Sequence, residues 1–299
     1  MSSKENVQLI ADLVAAHSPS WPEIAQVVIS LAVLILTGIS VWCAFRAYQH
    51  QRDRAKKDAA CKLARYYAHD IIQQYDLIDY VFKSSRTMDI IKEHFPLDQL
   101  KAFDKREMDR LLERAGEQKK EVLQRIFKLP VEMVYQGMIR SATSIEERHA
   151  LAKEYTHVEK KEKGEIIVTF QNTQMLMLGF QAEINDLLNN SEWFSMTCQY
   201  GLADAEVLYQ SLHQTFLSEV WMLYPYIALN NLNNEDKLFT NIISLFNLWK
   251  DRLQNIQRER QTKEDEVARK IRSKEKELEE TKREAQDIDA KIYTGAQLK

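Results

Sequence analysis

The stretch IAQVVISLAVLILTGISVWCAF, residues 24–45, is one apolar run without a charged side chain. A helix rises about 1.5 Å per residue, so a run of this length matches a hydrocarbon core about 30 Å thick. A buried helix of a globular domain usually has a polar stripe, and a cleaved signal peptide has basic residues before a shorter apolar stretch. The run therefore predicts a single transmembrane helix over residues 23–46.

Charged residues are distributed unevenly on the two sides of this run. The N-terminal side carries Lys4, Glu5, Asp12 and Glu23, whereas the C-terminal side opens with the basic residues Arg46, Arg52, Arg54, Lys56 and Lys57. Basic residues next to a span favour the cytoplasmic side of the membrane. The pattern predicts an external N-terminus, a cytoplasmic C-terminal part, and a cytoplasmic-side anchor formed by these five basic residues.

One face of the predicted span is small and polar. At 100° per residue, a helix places the following side chains within about 80° of one another: Gln26, Ser30, Val33, Thr37, Ser40 and Ala44. Helices in lipid associate through close packing of small residues and through interhelical hydrogen bonds. We expect this face, here called the seam, to mediate homo-oligomerisation. The alternative is that its hydroxyl groups only bond their own backbone one turn earlier.

The N-terminal residues 1–22 form a short stub with an amphipathic pattern, which includes Val7, Leu9 and Leu13. This segment is too short to cross a bilayer, so we expect it outside the cell at the membrane surface. A disordered tail is the alternative, because isolated helices of this length are marginal in water.

Residues 47–255 are predicted to form a cytoplasmic helical bundle, since the whole chain has only 7 Gly and 5 Pro in 299 residues. No Gly or Pro occurs between Ser40 and Phe95, and apolar residues recur at spacings of three and four. One long helix is therefore expected to leave the membrane and become the first bundle element. The predicted fold class is all-α.

Several local patterns mark element boundaries within the bundle. Pro130 should start one helix, and Ser144 with Glu147 forms a capping-box pattern that should start another. Gly201 should end a helix that begins near Glu192, after a break at residues 189–191, and Asp204 should cap the next. The aromatic residues that follow are expected in the core.

Residues 164–170 are ambiguous between strand and helix. Their Ile, Val and Thr content suits a strand, but no partner strand is evident in the sequence. We therefore expect a helix over residues 166–188.

The tail, residues 256–299, changes abruptly to interspersed basic and acidic residues. Val267, Ile271 and Leu278 partly follow a heptad, but Lys274 and Thr281 occupy positions where a coiled coil needs apolar residues. The tail is predicted to be a charged helix that pairs in an assembly, docks a partner or remains free. Direct nucleic-acid binding is not expected, because the carboxylates cancel a positive field.

No catalytic, cofactor-binding or metal-binding pattern is evident. Only three cysteines occur, Cys43, Cys61 and Cys198, without paired spacing, which favours a reducing compartment. The adjacent His69 and Asp70 point about 100° apart on a helix, which argues against a catalytic dyad. We expect no cofactor, no metal and no enzymatic activity.

The segment Leu188-Asn-Asn-Ser-Glu192, followed by residues 201–207 (GLADAEV), Trp221, Leu245 and Trp249, resembles an uncharacterised bacterial domain family. The resemblance covers residues 188–250 and implies a membrane-anchored protein with a helical cytoplasmic region and no assigned catalytic residues. In overall build the chain is also similar to transmembrane effectors of bacterial anti-phage systems, including retron-type ones. That likeness implies a bacterial inner-membrane location and a partner that restrains the effector.

The leading hypothesis is a single-pass inner-membrane effector of antiviral defence that self-associates and perturbs the membrane when a cytoplasmic protein or ribonucleoprotein releases it. A passive membrane-anchored scaffold for cytoplasmic partners is the alternative. An enzyme tethered near membrane substrates is a third hypothesis, for which the sequence supplies no converging polar residues.

Overall fold

A computed structural model describes residues 7–8, 21–160, 166–232 and 237–296. Over these residues the fold is all-α with one small two-stranded antiparallel sheet, in agreement with the predicted class. The predicted external stub lies almost wholly outside the described residues. The helices are α1 (Trp21–Tyr66), α2 (Ile72–Ser84), α3 (Thr87–His94), α4 (Lys105–Leu112), α5 (Lys119–Phe127), α6 (Val131–Ser141), α7 (Ile145–Tyr155), α8 (Thr173–Gln199), α9 (Ala205–Asn230) and α10 (Thr240–Ala296).

The chain divides into two compact units, Met1–Ala59 and Ala60–Lys299. The chain is helical from Trp21 to Ser84, as the absence of helix breakers predicted, with one π-turn at Tyr67–Ile71 between α1 and α2. A π-turn inserts an extra residue into the helix and is often found at functional sites. No residue pattern indicates this turn in advance.

Two of the predicted helix starts are confirmed. Pro130 precedes α6, and Ser144 caps α7 by accepting a 3.0 Å hydrogen bond from the backbone N–H of Glu147. The Glu147 carboxylate in turn accepts the backbone N–H of Thr143 at 2.8 Å, one residue before the position that a regular capping box uses. This accepted bond lowers the pKa of Glu147.

The predicted helix over residues 166–188 is wrong at its start. Ile166–Phe170 is a strand, β2, that pairs antiparallel with β1, Thr156–Lys160, and the helix α8 begins only at Thr173. The β-branched residues of β2 favour a strand. Its partner was missed because the charged residues after His157 resemble a loop. Asn172 adopts a left-handed conformation, φ 51°, where the chain turns from strand to helix.

The predicted break at residues 189–191 is also wrong, because α8 continues through it to Gln199. Ser191 is fully buried, and its hydroxyl donates to the side chain of Glu219 in α9 rather than competing with the helix backbone. The later boundary is confirmed: Gly201 has φ 64°, and Asp204 accepts the backbone N–H of Glu206 at 3.0 Å to cap α9.

The core of the second unit is rich in aromatic side chains, as predicted. Phe103 contacts Tyr224 edge to face at 5.1 Å between ring centroids, and Phe216 contacts Trp249 in the same way at 5.1 Å. The largest fully buried side chains include Tyr67, Tyr224, Phe82, Phe95, Phe103, Phe180, Phe194, Phe216 and Phe246. Such pairs add to the stabilisation that burial of the rings already provides.

The helix α10 combines a packed part and an exposed part. Its first turns contribute the buried residues Ile242, Phe246 and Trp249 to the core. From residue 255 to residue 283, every side chain that the structure describes is exposed. The predicted charged tail is thus a direct continuation of a core helix.

Candidate functional site

The apolar run lies within α1 and is exposed along its whole length. Every described side chain from Ile24 to Phe45 is exposed, and Leu34 and Val27 keep 70% and 67% of their surface accessible. No residue of its most apolar window is buried in the chain, and the helix is long and apolar enough to span a membrane. A helix of the protein core would be mostly buried, so the first unit does not use this segment as a core element.

The seam residues Gln26, Ser30, Thr37, Ser40 and Ala44 all lie on this helix and are exposed. The hydroxyl of Thr37 donates to the carbonyl oxygen of Val33 at 2.7 Å, and that of Ser40 donates to Leu36 at 2.8 Å. The alternative interpretation of the seam predicts such bonds, because in it the hydroxyl groups bond only the backbone of their own helix, one turn earlier. They use the hydroxyl protons but leave each oxygen able to accept a hydrogen bond from a neighbouring helix.

The five basic anchor residues follow on the same helix. Arg46, Arg52, Arg54 and Lys57 are exposed, whereas Lys56 is partly covered. The guanidinium group of Arg46 lies 5.3 Å from the ring centroid of Trp42, one helical turn earlier. A stacked Arg and Trp combine a charge with an amphipathic ring, which suits the level of lipid headgroups.

A second candidate site lies inside the second unit, around the carboxyl group of Glu219. This side chain is fully buried in α9. The Tyr67 hydroxyl donates to Glu219 Oε2 at 2.5 Å, and the Ser191 hydroxyl donates to Glu219 Oε1. The three side chains come from the π-turn, α8 and α9, so the carboxyl group joins three separate elements.

The π-turn positions Tyr67 for this contact. Tyr67 and Ile71 are both fully buried, and the Tyr67 ring packs on Phe194 of α8 at 4.7 Å between centroids. The same turn leaves His69 and Asp70 exposed, so these two residues do not line the buried site.

Burial raises the pKa of Glu219 from its usual value of 4.5 to about 7, and the hydrogen bonds from Ser191 and Tyr67 oppose this rise. A charged carboxylate is strongly disfavoured in an apolar interior, so the group keeps its proton to a higher pH. Burial likewise raises the pKa of the Cys198 thiol, to about 12. The site can therefore exchange one proton near neutral pH, but its side chains have no exposed surface through which a substrate would enter.

Sequence reasoning missed Glu219, although a pattern for it exists. Leu212, Phe216 and Leu223 are spaced as one buried face of α9, and Glu219 lies on that face. An acidic residue at a core position is unusual unless it is paired or neutral. That spacing was sufficient to mark the residue as a candidate.

The Leu188–Glu192 segment, which carries the family resemblance, has structural roles here. Asn190 donates to Gln74 Oε1 at 2.9 Å, and Ser191 donates to Glu219 as described above. The Glu192 carboxylate accepts the backbone N–H of Ile242 at 2.9 Å and the side-chain amide of Asn241 at 2.7 Å. It thereby satisfies donors at the start of α10, which have no partner within that helix.

Comparisons with protein families, with curated proteins and with solved structures found no match. Within the described ranges, no group of three or more His, Cys, Asp or Glu side chains is arranged to hold a metal ion. The bacterial-family and effector resemblances therefore remain expectations from the sequence.

Proposed function

We propose that the protein is a single-pass protein of the bacterial inner membrane, with residues 23–46 in the bilayer. The observation that carries this proposal is the complete exposure of an apolar helix of membrane-spanning length. Exposing so large an apolar surface to water is unfavourable, and surfaces of this kind mark membrane or protein contacts. Between its ends, a helix bonds all of its backbone groups internally, which lipid requires of a spanning segment.

The proposed orientation places the helical second unit in the cytoplasm. Its support is the exposed basic cluster that follows the span, together with the contact between Arg46 and Trp42. Basic residues are retained on the cytoplasmic side during insertion. Accessibility of Cys61, which is exposed after the cluster, to a membrane-impermeant thiol reagent tests the orientation. We expect labelling only after the cells are opened, and labelling of intact cells would contradict it.

The proposed activity is that of an effector in antiviral defence, held silent by a cytoplasmic protein or ribonucleoprotein partner. Released subunits associate through the seam and perturb the membrane. The support for this activity is the small polar face of an exposed helix and the resemblance in overall build to anti-phage membrane effectors.

The test replaces Ser30 and Thr37 by leucine. Both changes keep the span apolar, so insertion should persist, but bulky side chains prevent close helix approach in the seam. We expect S30L/T37L to lose contacts between the transmembrane helices in detergent, measured by crosslinking within residues 23–46, and to lose toxicity on overexpression. The matched control is V28L/I35L on the opposite face, which should behave as wild type. A double seam variant whose transmembrane helices crosslink and that kills like wild type contradicts this mechanism.

A passive scaffold is the second candidate function, and one observation favours it. The described tail beyond residue 254 makes an exposed helix that a cytoplasmic partner could bind. Overexpression separates the two functions, because an effector depolarises cells and a scaffold does not. Depolarisation that requires the seam supports the effector, and membrane retention without depolarisation supports the scaffold.

A further inference from the structure

The tail segment 260–278 of α10 carries an apolar stripe that nothing in the described chain covers. Val267, Ile271 and Leu278 keep 55%, 52% and 55% of their surface accessible. On a helix at 100° per residue these three side chains lie within about 40° of one another. The same stripe contains three charged residues that a coiled coil would normally avoid, Arg260, Glu264 and Lys274.

We propose that this segment binds the same segment of a second copy of the chain, as an antiparallel helix pair centred near residue 269. In this register, each core residue of one helix faces the core residue of the partner subunit that lies equally far on the other side of residue 269. Val267 then faces Ile271 of the partner subunit, and Arg260 faces Leu278 of the partner subunit. Glu264 faces Lys274 of the partner subunit, so the two most disruptive core residues neutralise each other.

Charge complementarity selects this orientation over a parallel one. In a parallel, in-register pair, Glu264 and Lys274 would each face the identical residue of the partner subunit, and like charges in such layers are costly. A parallel pair would instead gain ion pairs beside its core, between Lys270 and Glu275 of the partner subunit and between Glu277 and Lys282 of the partner subunit. These contacts lie at the exposed rim, where ion pairs contribute little.

The flanking positions of the antiparallel pair are also largely complementary. Lys263 lies beside Glu277 of the partner subunit on both sides of the two-fold axis, and Ala268 faces Ala268 of the partner subunit. One like-charge contact remains, between the two copies of Lys270. In the single chain Lys274 bonds Glu277 at 2.9 Å, with both side chains largely exposed. Exchanging that weak internal pair for two pairs between subunits therefore costs little.

The pairing surface is separate from the membrane seam and does not require it. Its occupant is a second copy because the same short segment supplies both partners of each ion pair. This surface goes beyond the proposed function, since either an effector or a scaffold can carry it.

The test uses disulfide trapping in the full-length protein in detergent, with the exposed Cys43 and Cys61 replaced by alanine. Cys198 is buried and is retained. The variant A268C places one cysteine next to its own copy across the antiparallel axis, so mild oxidation should yield a covalent dimer. The variant L278C would do so only in a parallel pair, and we expect it to form no covalent dimer. Dimers from L278C but not A268C, or from neither, overturn the proposal.

Charge reversal provides the second arm of the test. Adding K274E to A268C places two glutamates in each of the two symmetry-related layers, and a combined cost of about 1.4 kcal/mol corresponds to about tenfold less dimer. Adding E264K as well restores opposite charges in an antiparallel pair, and trapping should recover. Failure of this rescue contradicts the register, provided that circular dichroism shows unchanged helix content.

The seam variant S30L/T37L in the A268C background separates this proposal from the proposed function. Persistent A268C trapping with lost contacts between the transmembrane helices means that the tail pairs on its own. Loss of trapping in the seam variant would contradict the independence of the tail surface. Intact contacts between the transmembrane helices of the unaltered seam, without A268C trapping, would overturn the tail proposal and leave the proposed function unaffected.

Discussion

Tyr67 and Glu219 are 152 positions apart in sequence, and the Tyr67 hydroxyl donates a 2.5 Å hydrogen bond to the Glu219 carboxyl group. Both side chains are fully buried. The bond connects the π-turn after α1 to the centre of α9, and the Ser191 hydroxyl ties α8 to the same carboxyl group. One ionisable side chain therefore helps to fix three elements of the second unit.

The first prediction concerns pH. The raised pKa of Glu219 means that the folded chain keeps this proton between about pH 4.5 and about pH 7, where the unfolded chain has lost it. The folded state then binds more protons, so its free energy of unfolding falls as pH rises, by roughly 1.4 kcal/mol per unit from this group. Denaturant unfolding in detergent at several pH values measures the fall.

The matched variant for this prediction is Glu219→Gln. Its amide has nearly the same shape, accepts from Tyr67 and donates to Ser191, but it does not ionise. The difference in unfolding free energy between E219Q and wild type should grow in favour of E219Q up to about pH 7 and then level off. Parallel pH profiles of the two proteins would show that Glu219 does not titrate in this range.

The second prediction is that Tyr67→Phe destabilises the second unit. The change removes one donor to a buried carboxyl group, and a lost buried bond of this kind costs about 1–3 kcal/mol. The pKa of Glu219 should rise further, because the bond from Tyr67 lowers it. The control is Tyr75→Phe, whose hydroxyl pairs with Ser218 at 3.1 Å in a partly buried position. Equal effects of the two variants would argue against a special role for Tyr67.

The third prediction concerns two helical glycines. A Cβ atom at Gly137 in α6 would lie 2.5 Å from Val81 Cγ2 and 3.0 Å from Leu77 Cδ1. Gly137→Ala should therefore destabilise the contact of α6 with α2, by about 1–3 kcal/mol as for other overpacked sites. A Cβ at Gly179 in α8 meets nothing within 4 Å. Gly179→Ala should instead stabilise the protein by about 1 kcal/mol. Thermal unfolding of both variants gives the comparison.

The fourth prediction concerns the start of α10. Glu192→Ala leaves the side chain of Asn241 and the backbone N–H of Ile242 without the acceptor that they now share. We expect a loss of about 1–3 kcal/mol in unfolding free energy. Asp186→Ala, at an exposed position of the same helix, should change it by less than about 0.5 kcal/mol. Similar losses at both positions would mean that the helix-start contact is not responsible.

The sequence predicted the secondary structure correctly wherever local periodicity and capping residues determine it. The spacing of apolar residues predicted the long first helix, and Ser144, Gly201 and Asp204 marked boundaries that the structure confirms. These features depend on residues within a few positions of each other.

Features that depend on distant residues were missed. Ser191 looked like a helix breaker because its acceptor, Glu219, belongs to another helix. The strand Ile166–Phe170 looked isolated because Thr156–Lys160, its partner, carries charged residues that suit a loop equally well. The seam residues were predicted from helical spacing, and the basic anchor residues from the uneven distribution of charge on the two sides of the apolar run.

The continuity of α10 has a consequence for local opening of the chain. The described residues of α10 from 255 to 283 are exposed, and the last buried apolar side chain before them is that of Trp249. Among the described residues, unfolding of the helix from its C-terminal end therefore breaks no packing contact until it comes near Trp249. Backbone amides should therefore exchange with solvent in a gradient along one helix, fast toward its end and slow beside the core. Trypsin has abundant Lys and Arg sites on the exposed part, and in a lone chain it should digest the helix back to the edge of the bundle. Association of two chains would flatten that gradient over residues 260–278.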